Sequence, residues 1–189
     1  MVKKLVGIGL IASLLCTNGL ALENESYIGI KGGSMSFDKS VIANVSGQEN
    51  TGPYLSYKDT SLLGLEYQSL YTPQDSSLLF GYGVDLLFNE GDFLEGGMFD
   101  VDFKLGTKMD ALKLYGIVGY GMQSLSDYTV ATGSYVGIGA TYDIAKNFAL
   151  HTSYTKHNMT TAVSDYNSDI SDNQKYESKG FLFGLAYKY

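Results

Sequence analysis

The chain ends on a greasy strand with no polar tail after it. In Lys179-Gly180-Phe181-Leu182-Phe183-Gly184-Leu185-Ala186-Tyr187-Lys188-Tyr189, one face carries Phe181, Phe183, Leu185, Tyr187 and Tyr189. The other carries Gly180, Leu182, Gly184, Ala186 and Lys188. A period of two is the period of a β-strand, whose successive side chains point to opposite faces. A terminal strand this apolar would aggregate in water, so its large side chains must meet a core or a lipid.

The same alternation recurs upstream. Strands are expected over about 26–37, with Ile28 and Ile30 against Gly29, Lys31 and Gly33, and over 60–71, with Leu63, Leu65 and Tyr67 against Gly64, Glu66 and Gln68. The clearest is 77–88, where Leu78, Phe80, Tyr82, Val84, Leu86 and Phe88 alternate with a face containing Gly81, Gly83 and Asp85. Further strands follow around Phe99–Leu105, 112–125, Val136–Ile144 and 148–156. Between them lie predicted loops over 38–59, 89–97, 126–131 and 157–178, and short turns near Pro73, over 106–110 and at Ala145-Lys146-Asn147. Eight strands joined alternately by long and short connections predict an all-β, eight-stranded antiparallel up-and-down transmembrane β-barrel, with both termini at the short-turn end.

Two observations favour lipid over water outside that barrel. Glycines 29, 64, 81, 83, 119, 121, 137, 139 and 184 all fall on the second face, mixed with charges. They would weaken a water-facing sheet to no purpose, but inside a narrow barrel they make room for long side chains. The first face is Leu, Ile, Val, Phe and Tyr, with Tyr71, Tyr154, Tyr187 and Tyr189 expected to form an aromatic girdle. The competing reading is a soluble exported ligand-binding barrel with its greasy face inward.

The N-terminus reads as a targeting segment. Lys3 and Lys4 precede an apolar run from Leu5 to Cys16, then Thr17-Asn18-Gly19-Leu20-Ala21. A basic start, ~12 apolar residues and small residues before the cut describe a secretory signal peptide over 1–21, leaving 22–189 as the barrel domain. Cys16 is the chain's one cysteine, so the exported part has no disulfide. Removing Lys3 and Lys4 from 13 basic residues leaves 11 against 20 acidic, a net charge of −9. With no arginine and no basic stripe, nucleic acid is excluded as a partner.

By parity the lumen receives Lys31, Glu66, Asp102, Lys104 and Lys113 at comparable heights, with Asp85, Asp100, Asp143, His151 and Lys188 elsewhere. Opposite charges in a weakly hydrated interior pair, because an unpaired one is costly. The expectation is therefore a Lys31, Glu66, Asp102, Lys104, Lys113 network that fills the barrel, or alternatively gates a narrow ion-conducting pore. No catalytic residue is assigned: His157, Ser164 and Asp165 lie near the predicted loop rim without a spacing that sets a base beside a nucleophile. Glu90, Asp92 and Glu95, like Asp165, Asp169, Asp172 and Glu177, lack calcium-loop spacing, so no metal or other cofactor is expected. The long polar loops are the parts available to an extracellular partner.

The terminal Gly184-x-x-Tyr187-x-Tyr189 resembles the C-terminal signal of Gram-negative outer-membrane proteins, which the barrel assembly machinery reads and which ends in an aromatic residue. Leu182 departs from it, where a polar residue is usual. Tyr27-Ile28-Gly29-Ile30-Lys31 is similar to the first strand of the transmembrane domain of outer membrane protein A. The resemblance implies the eight-stranded family that includes outer membrane proteins A and X and the opacity proteins. It further implies placement in the outer membrane with periplasmic termini, contact with outer-membrane lipid and lipopolysaccharide, and a structural or surface-interaction role.

Overall fold

A computed structural model describes residues 21–45, 48–51, 55–89, 97–124, 130–163 and 172–189. Residues 1–20 of the expected signal peptide, 90–96 and 126–129 of two expected loops, and Leu125 at the end of an expected strand lie outside them.

The described strands are β1 (Leu22–Val45), β2 (Gln48–Thr51), β3 (Leu55–Pro73), β4 (Leu78–Asn89), β5 (Met98–Met109), β6 (Leu112–Ser124), β7 (Val130–Ala145), β8 (Phe148–Val163) and β9 (Asp172–Lys188). Every pairing is antiparallel, in the order β2-β1-β3-β4-β5-β6-β7-β8-β9, and β1 also pairs with β9. That last ladder, from Tyr27 opposite Lys188 to Ile42 opposite Asn173, closes the barrel. β2 pairs only with the far end of β1, from Ile42 to Val45, so it extends one hairpin and the barrel wall has eight strands.

One end is trimmed to tight connections. Asp75 and Asp110 sit there with φ of 61° and 52°, a left-handed conformation that aspartate tolerates better than most side chains. The β5–β6 turn is tighter than expected, since β5 continues through 106–109 and only Asp110 and Ala111 connect it to β6.

The other end departs more from expectation. Much of 38–59, read as loop, is strand: β1 continues to Val45 and β3 begins at Leu55, with Phe37 opposite Tyr57 and Lys39 opposite Leu55. Likewise β8 continues to Val163 and β9 begins at Asp172. These extensions lie beyond the apolar belt, where both faces of a strand can be polar. The ladder, rather than alternation, then carries the strand.

The apolar face is the outside. Ile28, Leu63, Ile138 and Phe183 are each more than half exposed, whereas Lys31, Glu66, Asp102, Lys104 and Lys113 are buried. This inversion is what a lipid solvent selects, and a water-soluble protein does not expose so large a contiguous apolar surface. From Phe181 to Tyr189 the belt spans roughly 20 Å at about 3.3 Å per residue and ~40° tilt, to which the side chains at its two ends add reach towards the ~25 Å of a membrane barrel. At its trimmed edge Tyr71 stacks on Phe80 at 5.6 Å and Phe148 meets Tyr187 edge-on at 5.7 Å. Tyr154 does not join them: because β8 extends to Val163, it sits mid-strand.

Candidate functional site

The interior is a stack of layers. Nearest the trimmed end, Glu25 takes Lys188 as a close partner and lies 3.2 Å from the Lys113 Nζ. Lys113 and Lys188 each reach Asp143 at 2.8 Å, and the Tyr27 hydroxyl donates to Asp143 at 3.1 Å. Lys113 is completely buried. At the rim Lys108 joins Glu23 at 2.9 Å.

In the middle, Glu66, Asp85 and Asp100 stand side by side on β3, β4 and β5, in one register row. Three adjacent carboxylates repel, so cations must come from elsewhere in the wall. Lys31 of β1 supplies one, 2.7 Å from Asp85 and 3.2 Å from Glu66. The His151 ring of β8 lies 2.6 Å from Glu66, off the line of a hydrogen bond. His157, also on β8, lies 3.0 Å from Asp100 with Tyr135 stacked on its ring at 4.4 Å. Lys104 pairs with Asp102 at 2.5 Å, and the Tyr135 hydroxyl donates to the same carboxylate at 3.3 Å. Gln68 donates to Thr141 at 3.0 Å beneath them.

Glycines on facing strands make this packing possible. A Cβ at Gly119 would strike the Tyr135 ring, one at Gly139 the Tyr115 ring, and one at Gly184 would lie 2.6 Å from a Glu66 carboxylate oxygen. Gly119→Val is expected to destabilise the barrel by about 1–3 kcal/mol through overpacking, read as a lower unfolding midpoint in detergent. An unchanged midpoint would mean that Tyr135 does not pack there.

Towards the elaborated end, Met35, Phe37, Leu62, Leu87, Met98, Met159 and Tyr176 form an apolar layer across the lumen. The cavity left among Lys31, Glu66, Asp85, Asp102, Lys104 and His151 is about 20 Å³, room for about one water molecule. The interior is therefore filled, first by ion pairs and then by an apolar lid.

Of the five lumen residues named from sequence, Lys31 meets Glu66 and Lys104 meets Asp102, but Lys113 belongs with Glu25 and Asp143 at the trimmed end. Parity assigns a face and not a height: Lys113 is the second residue of β6, whereas Lys31 is well inside β1. His157, expected at the loop rim, is fully buried because β8 continues past Lys156 and carries it inward. Ser164 and Asp165 lie outside the described residues. Glu25 was missed, although continuing the alternation Lys31, Gly29, Tyr27 one step further reaches it. Tyr187 and Tyr189 face outward, and among the described residues no group of three or more His, Cys, Asp or Glu is placed to hold a metal ion.

No protein-family model matches the chain, and no curated protein matches it in sequence. Among solved structures it is similar to the outer membrane protease OmpT from Escherichia coli at 9% identity and a TM-score of 0.52, covering 92% of this chain and 100% of that one. The fold is that of an outer-membrane β-barrel. Weaker likenesses to the same kind of barrel are the attachment invasion locus protein Ail of Yersinia pestis (15% identity, TM-score 0.45, 88% of this chain and 99% of that one) and Neisserial surface protein A (14%, 0.42, 87% and 97%). The barrel shares its fold with the protease and little of its sequence.

Proposed function

We propose that this protein is a closed outer-membrane barrel of a Gram-negative bacterium, with a structural or cell-surface interaction role and without catalytic or open-pore activity. The observation that carries this reading is the filled lumen. An ion entering it meets an apolar layer and then buried ion pairs around a cavity of about 20 Å³. Both termini are placed in the periplasm at the trimmed end. The extended wall of β8, β9, β1 and β3 then rises on the cell surface, where it and its loops are available to an extracellular partner. Gly184, Tyr187 and Tyr189 are assigned to recognition by the barrel assembly machinery, and the apolar belt to outer-membrane lipid and lipopolysaccharide.

The alternative is a narrow pore gated by the Lys31, Glu66, Asp102, Lys104, Lys113 charges. Planar-bilayer recording of the refolded full chain separates the two. The closed-barrel reading predicts no sustained current steps. Stable steps that change on Lys104→Ala would replace it with the pore.

A further inference from the structure

The outer surface carries a groove of about 500 Å³ across β5 to β9, with Gly116, Ala140 and Thr152 in its floor and Leu114, Ile138 and Phe181 along its sides. Gly116 is where the surface is cut away: a Cβ there would find only the Leu105 carbonyl, at 3.8 Å. Gly119 and Gly139, by contrast, leave room for tyrosines inside. The space at Gly116 opens outward, in the middle of the apolar face.

The groove is inclined. One of its register rows runs Thr107, Leu114, Ala140, Thr152, Phe183 across the five strands. Thr107 is two residues short of the end of β5, and Phe183 five short of the end of β9. The groove therefore descends towards the trimmed end as it passes from β9 to β5.

At its upper end stands a charge anomaly. Tyr154 and Phe181, facing each other across β8 and β9, line the groove, and the next outward pair along those strands is Lys156 opposite Lys179. Like charges directly opposite in a ladder repel. Lys156 and Lys175 share Glu177 at 3.1 and 3.4 Å, while Lys179 has no ion-pair partner among the described residues. Three lysines stand against two carboxylates, Glu177 and, opposite it on β1, Asp38, which leaves positive charge in excess at the upper edge of the apolar belt.

We infer that this is a binding site for a membrane lipid with a phosphorylated headgroup: the phosphate on Lys156 and Lys179, and an acyl chain lying down the groove past Gly116. The inference rests on the membrane reading above. An acyl chain matches the apolar walls, and an anionic head is the complement of the unbalanced lysines at the level where headgroups lie. The downward slope joins the two parts in one amphiphile.

The chain has no tryptophan, so Tyr154→Trp gives a single reporter in the groove and Leu65→Trp, on β3 across the barrel, a control. Each variant of the full chain is reconstituted in phosphatidylcholine bilayers containing either phosphatidic acid or phosphatidylcholine with brominated chains, which quench tryptophan on contact. At position 154 phosphatidic acid is expected to be favoured about fivefold over phosphatidylcholine, with no preference at position 65. Lys156→Gln with Lys179→Gln should abolish the preference, and Gly116→Leu should reduce quenching at 154 alone. Equal quenching by both lipids at 154, or a preference that survives loss of the lysines, overturns the proposal. So does a preference that inorganic phosphate removes while Gly116→Leu has no effect, since that marks a phosphate site with no chain. If neither reporter is quenched, the membrane reading itself fails.

Discussion

Lys113→Ala is expected to cost about 3–5 kcal/mol of barrel stability, because it leaves charged partners buried without their counter-ion. Lys113 is completely buried, with Glu25 at 3.2 Å and Asp143 at 2.8 Å, and its Nζ lies 5.5 Å from the Tyr27 ring centroid. The cations that remain, Lys188 and the rim Lys108 at 3.4 Å from Glu25, are both part-exposed, and neither replaces the fully buried ammonium between Glu25 and Asp143. Lys108→Ala provides the contrast at the rim: its nearer partner, Glu23, is largely exposed, and its second partner, Glu25 at 3.4 Å, keeps Lys113 and Lys188. Exposed pairs contribute about 0–1 kcal/mol, so that variant should be near neutral. Unfolding of both variants in urea with lipid or detergent present reads the difference. Equal, small effects would mean that the trimmed end of the lumen is wet, and that the layered interior described here is wrong.

The second large effect concerns the outside. Val118 on β6 is 55% exposed, between Leu114 and Met122 on the same face. In a water-soluble protein an exposed valine can become arginine at a cost within about 0.5 kcal/mol. At the middle of a bilayer the same change costs about 2–4 kcal/mol. Val118→Arg therefore reports which solvent the face meets. A loss of that size in refolding into lipid vesicles is expected. A neutral result would place Val118 in water.

The fold was largely legible because alternation is a direct record of two-faced strands. In the segment 77–88 and the terminal strand the residue-by-residue assignment of face agrees with the structure, including Leu182, apolar yet buried in the lumen. Alternation was silent where its cause was absent. Beyond the lipid belt nothing requires an apolar outer face, so the continuation of β1 to Val45 and of β8 to Val163 left no periodic trace. The burial of His157 is hidden for the same reason, since the alternation in its strand stops at Lys156.

The candidate site was legible as a set of residue types and faces, but not as a layering. Heights in a barrel depend on the stagger of each ladder. Nothing in the sequence states that Glu66, Asp85 and Asp100 share a row, or that Lys113 lies nearer Asp143 than Glu66. The apolar lid of Met35, Phe37, Met98 and Met159 was hidden differently. Its members lie at or beyond the limits that alternation sets for their strands, near 26–37, 99–105 and 148–156, so the pattern gives no sign of their converging on one layer.

Heat modifiability of the outer-membrane fraction tests the central claim most directly. Protein from that fraction is run on a denaturing gel with and without boiling. A closed barrel with a lipid-facing exterior and a filled, ion-paired interior resists detergent until heated, so the unboiled band should run faster than the boiled one. Recovery in the water-soluble fraction with a single band under both conditions would contradict the account.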